Sequence, residues 1–549
     1  MTHTWWKESV IYQIYPRSFK DTNGDGIGDL RGIIEKLDYL KELGIDIIWL
    51  NPIYKSPNDD NGYDISDYYD IMDEFGTMAD FDELLAEAHQ RGIRILMDLV
   101  VNHTSDEHEW FQQSRQSKDN PYRDYYFWKP EPANNWPSFF SGSVWQKDDV
   151  TGEYYLHLFT KKQPDLNWEN PAVRQDVYKL MRFWLDKGID GFRMDVIPMI
   201  SKRLDFPDAD TDDFGQIIER YYANGPRVHE FLQEMYREAL ADYDVMTVGE
   251  GAGIPPEMAN DYVGEDRKEL SMIFHFGHMG LDHGPGGRFD PKGWTLSEFK
   301  RIFNIWHQAV GDRGWVNVFL DNHDFPRMVS RFANDNRYRV ESAKLLATLL
   351  LTMRGTPCIY YGSEIGMTNI HLDKWEDFDD VEIKNAYQAA KERGDDLDKL
   401  MAAANANGRD NARTPMQWDD SPHAGFTTGQ PWLKVNPNHT EINVIKDQAA
   451  PHSIFRYYQE ILQLRKAHST LVYGDYEDLN PDSEYIYYYR RYDANGEFYI
   501  ILNFSSSEIH NIPLPKDAEI TLLISNYPTE RGFINNLKPW EAIVYKVKA

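Results

Sequence analysis

Eight short apolar runs alternate with longer stretches of helical spacing, and that alternation limits what this chain can become. The runs lie at residues 9–15, 45–50, 93–101, 191–197, 244–250, 272–275, 316–320 and 357–361. Helical spacing fills the intervals, for example at 30–43, 81–91, 173–187 and 339–353. Apolar strands each followed by a helix are buried on both faces and pair in parallel. No G-x-G-x-x-G stretch follows the first run, which argues against a dinucleotide-binding sheet. Eight units is the count of a (β/α)8 TIM barrel.

The pattern breaks twice. From 104 to 172 the chain is rich in Trp, Asn, Pro, Ser and Lys with little helical period. That is too long for a plain loop inside a compact unit and reads as a functional insertion, domain B. After about residue 474 helical spacing disappears, and runs at 485–489, 498–502, 520–524 and 542–545 predict a C-terminal antiparallel β-sandwich. The expected division is 1–103 and 173–473 for the barrel, 104–172 for the insertion and 474–549 for the sandwich.

Charge and cysteine content narrow the function. With 58 Lys and Arg against 89 Asp and Glu, the formal net charge is −31. Such a surface repels phosphate backbones and acidic membranes, so nucleic acid and membrane partners are not expected. The single cysteine, Cys358, excludes an internal disulfide and fits a reducing compartment. No basic segment followed by an apolar run opens the chain, and no stretch approaches ~20 apolar residues. The expectation is a cytoplasmic protein.

Polar groups recur where the strands end: Asp98 with Asn102 and His103, Arg193 with Asp195, Glu250, and the run Asp321-Asn-His-Asp324. Residues two apart on a strand share a face, so Arg193 is expected to hold Asp195 ionised. Each group alone reads equally as a structural ion pair or a satisfied core polar residue. In a barrel, however, these ends converge on the face where chemistry is done. Two carboxyl groups facing a glycosidic bond suffice for its hydrolysis.

These stretches carry a resemblance. DLVVNHTS, GFRMDVI, VGE and DNHDFPR resemble, in order, the four motif regions of the alpha-amylase family of glycoside hydrolases. QPDLNW, NGYDISDY and GRDNARTPMQWD are similar to its oligo-1,6-glucosidase group, and the resemblance covers nearly the whole chain. It implies an exo-acting, retaining α-glucosidase that releases glucose from the non-reducing end of short α-glucosides, α-1,6 links preferred. Asp195 then resembles the nucleophile, Glu250 the acid/base and Asp324 the carboxylate that stabilises the transition state. His103, Arg193 and His323 match sugar contacts at the cleavage subsite, and Tyr63 the residue that stacks on that sugar. Asp64 and Arg409 match a pair that grips the non-reducing end, and Phe140, Phe159 and Gln163 match residues of the insertion around the sugar. Val196, after the nucleophile, goes with α-1,6 cleavage in such enzymes; it is also an ordinary residue to end a strand.

The chain departs from the group at Gly251 and Ala252, and at Tyr361 and Ser363, positions expected near the second sugar. Alternatives within the family are an α-1,4- or sucrose-active glucosidase, a sucrose isomerase and a trehalose-6-phosphate hydrolase. The arginine-rich stretch of the isomerases is replaced here by Gly280-Leu-Asp-His-Gly284, and nothing in the charge balance favours a phosphorylated sugar. Transporter heavy chains keep the barrel without catalysis, but need a membrane helix and lack the carboxylates.

The stretch at 21–29 places Asp21, Asn23, Asp25, the Ile27 carbonyl and Asp29 at alternate positions, like the front half of a calcium loop. Position twelve is Gly32, not Glu, so an EF-hand is excluded, and the spacing alone also reads as an Asx-rich turn. The resemblance implies a structural Ca2+ or Mg2+ there. No organic cofactor is expected, and the chain is expected to be a monomer or weak homo-oligomer.

Overall fold

The computed structural model describes residues 3–512, 514, 519–528 and 536–548. Eight parallel strands form its centre: β1 (Ile11–Ile14), β2 (Ile47–Leu50), β3 (Arg94–Leu99), β4 (Gly191–Met194), β5 (Met246–Glu250), β6 (Met272–Phe274), β7 (Asn317–Val318) and β8 (Thr356–Tyr360). They are hydrogen-bonded in the order β6-β5-β4-β3-β2-β1-β8-β7. A parallel bridge from Ile273 to Val316 joins the two edges and closes the sheet into a barrel. Apart from Arg94 at the start of β3, every residue in these strands is buried, as strands walled in by helices require.

Local signals set the helices. Thr77 and Asp80 form a capping box for the helix Met78–Gln90. Pro171 opens the helix Pro171–Lys187 and Gly188, at φ 103°, ends it. The stretch expected as one helix over 30–43 is two, Leu30–Glu35 and Leu37–Leu43, because Lys36 leaves helical geometry. Two runs are shorter as strands than expected. β3 stops at Leu99, ahead of Asn102 and His103, and β4 stops at Met194, so Asp195 and Val196 stand in the turn that follows.

Between β3 and the helix Pro171–Lys187 lie a short helix, Glu109–Ser114, and three antiparallel strands, Trp128–Lys129, Trp145–Lys147 and Tyr154–Leu156. Trp136, Val144, Leu156 and Leu158 pack there with Val196, Met199 and Tyr222 from beyond β4, so the insertion shares its core with the turn after Asp195. After β8 the helices Val381–Arg393 and Leu397–Asn407 project from the barrel.

The C-terminal part is an antiparallel sheet of β9 (Asp475–Asp478), β10 (Ile486–Asp493), β11 (Gly496–Asn503), β12 (Ile520–Ser525) and β13 (Ala542–Val547), in the order β9-β10-β11-β13-β12. Residues alternate cleanly along it. Tyr487, Tyr489, Ile500 and Leu502 join the barrel core, and Ile486, Tyr488, Ile501 and Ile543 join Ile512 and Leu537 on the other face. Among the described residues the second layer of the expected sandwich is one antiparallel bridge, Ile509 to Leu537. Arg465 and Arg491, both fully buried, rivet sheet to barrel. Arg491 donates to the carbonyls of Thr352, Leu471, Val472, Gly474 and Asp475, and Arg465 to those of Leu351, Met353, Gly355 and Leu471. Among the described residues no helix is long and apolar enough to cross a membrane.

Candidate active site

Parallel register brings the carboxylates together. β4 and β5 align Arg193 with Val248 and Met194 with Gly249, so Asp195, the first residue after β4, comes beside Glu250 at the end of β5. β3 aligns Asp98 with Arg193 from the other side. The Arg193 guanidinium sits between the three: Nη1 lies 2.8 Å from Asp98 Oδ1 and 2.8 Å from Asp195 Oδ1, and Nη2 lies 2.6 Å from Glu250 Oε2. Asp195 and Glu250 are within hydrogen-bonding reach of each other.

That balance corrects the expectation that Arg193 alone keeps Asp195 ionised. Burial raises the Asp195 carboxyl well above its ordinary range; Arg193 opposes this, and Glu250 and Asp98 add to it. Burial likewise pushes Asp98 up to about 6 against the pull of Arg193. Burial and the neighbouring carboxyls thus work against ionisation of Asp195 and Asp98, and the single guanidinium works for it.

The wall beyond this floor is built from β1, β2 and the segment after β7. Asp98 Oδ2 accepts from the hydroxyl of Tyr63 (2.9 Å) and from Trp49 Nε1 (3.2 Å). The Tyr63 ring stacks on His323 at 5.3 Å. Gln13 donates to His323 Nδ1 at 2.9 Å, which leaves the ring proton on Nε2, 3.2 Å from Asp324 Oδ2. Burial pushes His323 down to about 3, so the ring is neutral. Burial also acts to raise Asp324, but His323, Arg409, Arg413 and Arg288 outweigh it and hold this carboxylate far below its usual range. Arg413 and Arg409 reach Asp324 Oδ1 at 3.2 and 3.4 Å.

His103 lies 3.0 Å from the Tyr63 carbonyl, and Gln163 Nε2 reaches His103, that carbonyl and Asp60. Phe159 packs on His103 at 5.0 Å, and the Phe140 ring lies 5.1 Å from the Arg409 guanidinium. The sugar-contact positions suggested by the motifs therefore gather at one place, with one exception.

Asp64 does not meet Arg409. Its carboxylate is spent on its own loop, accepting from Ser56 Oγ and the backbone N–H groups of Asp59 and Asp60. Burial pushes it up to about 7. Arg409 faces Asp60 instead, at 3.5 Å, together with Asp324 and, closest, Asp380 at 2.6 Å. Asn58, Asn61 and Gly62 all take positive φ, and this coiled loop decides which of the two aspartates looks inward. The motif NDDNGYD offered both, so Asp60 was readable as a candidate; Asp380, Arg413 and Gln13 carried no local signal.

Comparison with known proteins identifies the family. Residues 13–474 match the family model for the alpha amylase catalytic domain. The chain belongs to the alpha-amylase family of glycoside hydrolases. It is 57% identical to an oligo-1,6-glucosidase of Parageobacillus thermoglucosidasius over the full length of both. It is 49% identical to an alpha-glucosidase of Pediococcus pentosaceus, covering 100% of this chain and 99% of the relative. Among solved structures it resembles an isomaltulose synthase variant of Erwinia rhapontici NX5 with sucrose bound, at TM-score 0.97, 48% identity and full coverage of both.

The departures from other alpha-amylase family members fall differently from expectation. Tyr361 and Ser363 are buried in the barrel wall, Tyr361 donating to the Thr414 carbonyl and Ser363 to Asp321, so neither faces a second sugar. At Gly251 an added Cβ would lie 2.8 Å from the Phe274 carbonyl, which excludes a larger residue without a shift. Ala252 packs against the cluster that holds Val196.

The 21–29 loop is wound as three successive Asx turns. Asp21, Asn23 and Asp25 each accept the backbone N–H two residues on, at 2.8–2.9 Å. Asp21 also accepts from Gly26 and Thr427, and Asp29 caps the helix Leu30–Glu35 through Gly32. Among the described residues no three His, Cys, Asp or Glu converge as a metal cage. On the outer side of the loop the Asn23 amide donates to the exposed Asp25 carboxylate at 3.1 Å, so a cation held there would compete with the loop's own hydrogen bonds for these oxygens.

Proposed function

We propose that the chain is an exo-acting, retaining α-glucosidase that removes glucose from the non-reducing end of short α-glucosides, with α-1,6 links preferred. The observation that carries this is that Asp195 and Glu250 share one guanidinium, that of Arg193. One guanidinium held by both carboxyls supports the close spacing of a retaining pair, about 5–5.5 Å, over the wider spacing of an inverting one. Asp195 attacks the anomeric carbon while Glu250 protonates the leaving oxygen. Glu250 then takes a proton from water, which opens the glucosyl–Asp195 ester and restores the pair. Asp324, kept anionic by three arginines, faces the positive charge that develops on the sugar.

Arg409, with Asp60, Asp324 and Phe140, forms the end of the pocket that reads the terminal glucose. Fixed charged partners of this kind suit sugar hydroxyls. The preference for α-1,6 links is supported by Val196 and by the full-length relatives named for that activity. The solved sucrose isomerases, at 46–48% identity, support a sucrose-active alternative only at the level of the fold. Product analysis on isomaltose, maltose, sucrose, trehalose and panose tests the reading: isomaltose and panose cleaved best supports it, and maltose or sucrose cleaved best overturns the linkage preference. The 21–29 loop is read as the seat of a structural Ca2+ or Mg2+ remote from the chemistry, and the single cysteine supports a cytoplasmic setting.

A further inference from the structure

The residue that grips Arg409 most closely lies in none of the motifs. Asp380 is fully buried and caps the helix Val381–Arg393, its Oδ1 accepting from Glu382 N at 3.0 Å. The same oxygen takes Nε of Arg409 at 3.0 Å and Nη2 at 2.6 Å. The other carboxylates near Arg409 are more distant: Asp324 at 3.4 Å, Asp60 at 3.5 Å and Glu382 at 3.7 Å. Charge-assisted contacts below about 3 Å hold a group in place, whereas those near 3.5 Å are readily exchanged for a ligand's hydroxyls.

The backbone under Asp380 is itself fixed. Asp410, next in sequence to Arg409, accepts the N–H groups of Asp379 (2.8 Å) and Asp380 (3.2 Å). One turn along the helix, Asn385 donates to the carbonyl of Phe140 at 3.0 Å, and the Arg409 guanidinium lies over the Phe140 ring, 5.1 Å from its centroid. Arg409 is thus held by a buried carboxylate and an aromatic ring, with Nη1 turned towards Asp324.

We propose that Asp380 is a positioning residue for substrate recognition, holding Arg409 at the closed end of the pocket before the sugar arrives. This rests on the reading of that pocket as a glucose site. Asp380 touches no substrate; it acts by removing the cost of ordering a long side chain on binding.

The test is Asp380→Asn in the full chain. Asparagine still caps a helix, so the element survives while the negative charge facing Arg409 is lost. The KM for isomaltose and the inhibition constant for glucose should rise together by about tenfold, with kcat changed by less than about threefold. Asp380→Glu should fall between this variant and the unmodified enzyme. A folded Asp380→Asn protein with unchanged KM and glucose inhibition, or one that only melts earlier, overturns the proposal. If Asp380→Asn fails to fold, Asp380→Glu decides: raised glucose inhibition constant supports it, an unchanged one overturns it. Glucose inhibition is read independently of linkage, so a preference for maltose would defeat the linkage reading and leave this one standing.

Discussion

The backbone N–H of Val196 donates to Oε2 of Glu250 at 3.0 Å. Val196 makes that contact from φ 36°, ψ 38°, a left-handed conformation that strains a β-branched residue by of order 1–3 kcal/mol. It does not end a strand. It turns the chain away after Asp195, aims its N–H at the acid/base candidate and packs its side chain into the insertion's core. Strain held in such a place gives the side chain one position, which is what a specificity wall requires.

Val196→Ala should therefore raise maltose cleavage relative to isomaltose. Removing two methyl groups beside Asp195 changes discrimination by ~1–3 kcal/mol, so a shift of roughly tenfold in the ratio of kcat/KM values is expected. An unchanged ratio would show that the wall lies elsewhere.

Asp195→Asn should lose nearly all turnover and keep its melting temperature, since a neutral amide replaces a carboxyl that burial already disfavours as an anion. In the unmodified enzyme, NMR should show α-glucose as the first product from isomaltose. Initial β-glucose would contradict a double displacement.

Asp60 should set an acid limb in kcat/KM. Burial pushes its carboxyl up to about 6, with Arg409 and Arg413 opposing. Below that pH it is protonated and cannot pair with Arg409, so kcat/KM should rise as pH passes through about 6, and Asp60→Asn should flatten that part of the profile. Stability runs the other way. A raised folded-state pKa means the stabilising protonated form is fully present below the ordinary 3.8 and is lost as pH rises through about 6. Asp64→Asn, by contrast, should leave the profile in place, because Asp64 serves its loop and not Arg409.

Chelation should lower the melting temperature more than it lowers activity at mild temperature, as expected for an ion in a loop remote from Glu250 and Asp195. Restoring Ca2+ or Mg2+ should reverse the loss. A melting curve indifferent to chelator and added ion would leave the Asx turns as the loop's whole explanation.

The parts of this site that could be read in advance are those fixed by strand period. Arg193 and Asp195, Asp98 and Glu250 project where they do because parallel strands share register and end together. What escaped reading depends on loops and on contacts distant in sequence. Asp60 and Asp64 are four apart in a coil whose direction three positive-φ residues decide. Asp380 meets Arg409 only because two helices fold back after β8. Tyr361 and Ser363 follow β8 closely, yet point into the wall, a choice made by Asp321 and the Thr414 carbonyl. The sign of the Asp195 shift was equally out of reach, since it depends on how many carboxyls crowd a single guanidinium.

Arg465 and Arg491 bear on the boundary near residue 474. Each guanidinium is dissolved in peptide carbonyls, with no carboxylate among its hydrogen-bond partners among the described residues, and several of those carbonyls cluster where the helices Arg339–Thr352 and Ser469–Tyr473 end. A barrel cut free at Gly474 would lose Arg491 and bare those helix ends to solvent, while the severed sheet would carry a cation evolved for a dry seam. The barrel is therefore not a portable module: the ends of two of its helices are covered by Arg491, from beyond residue 474.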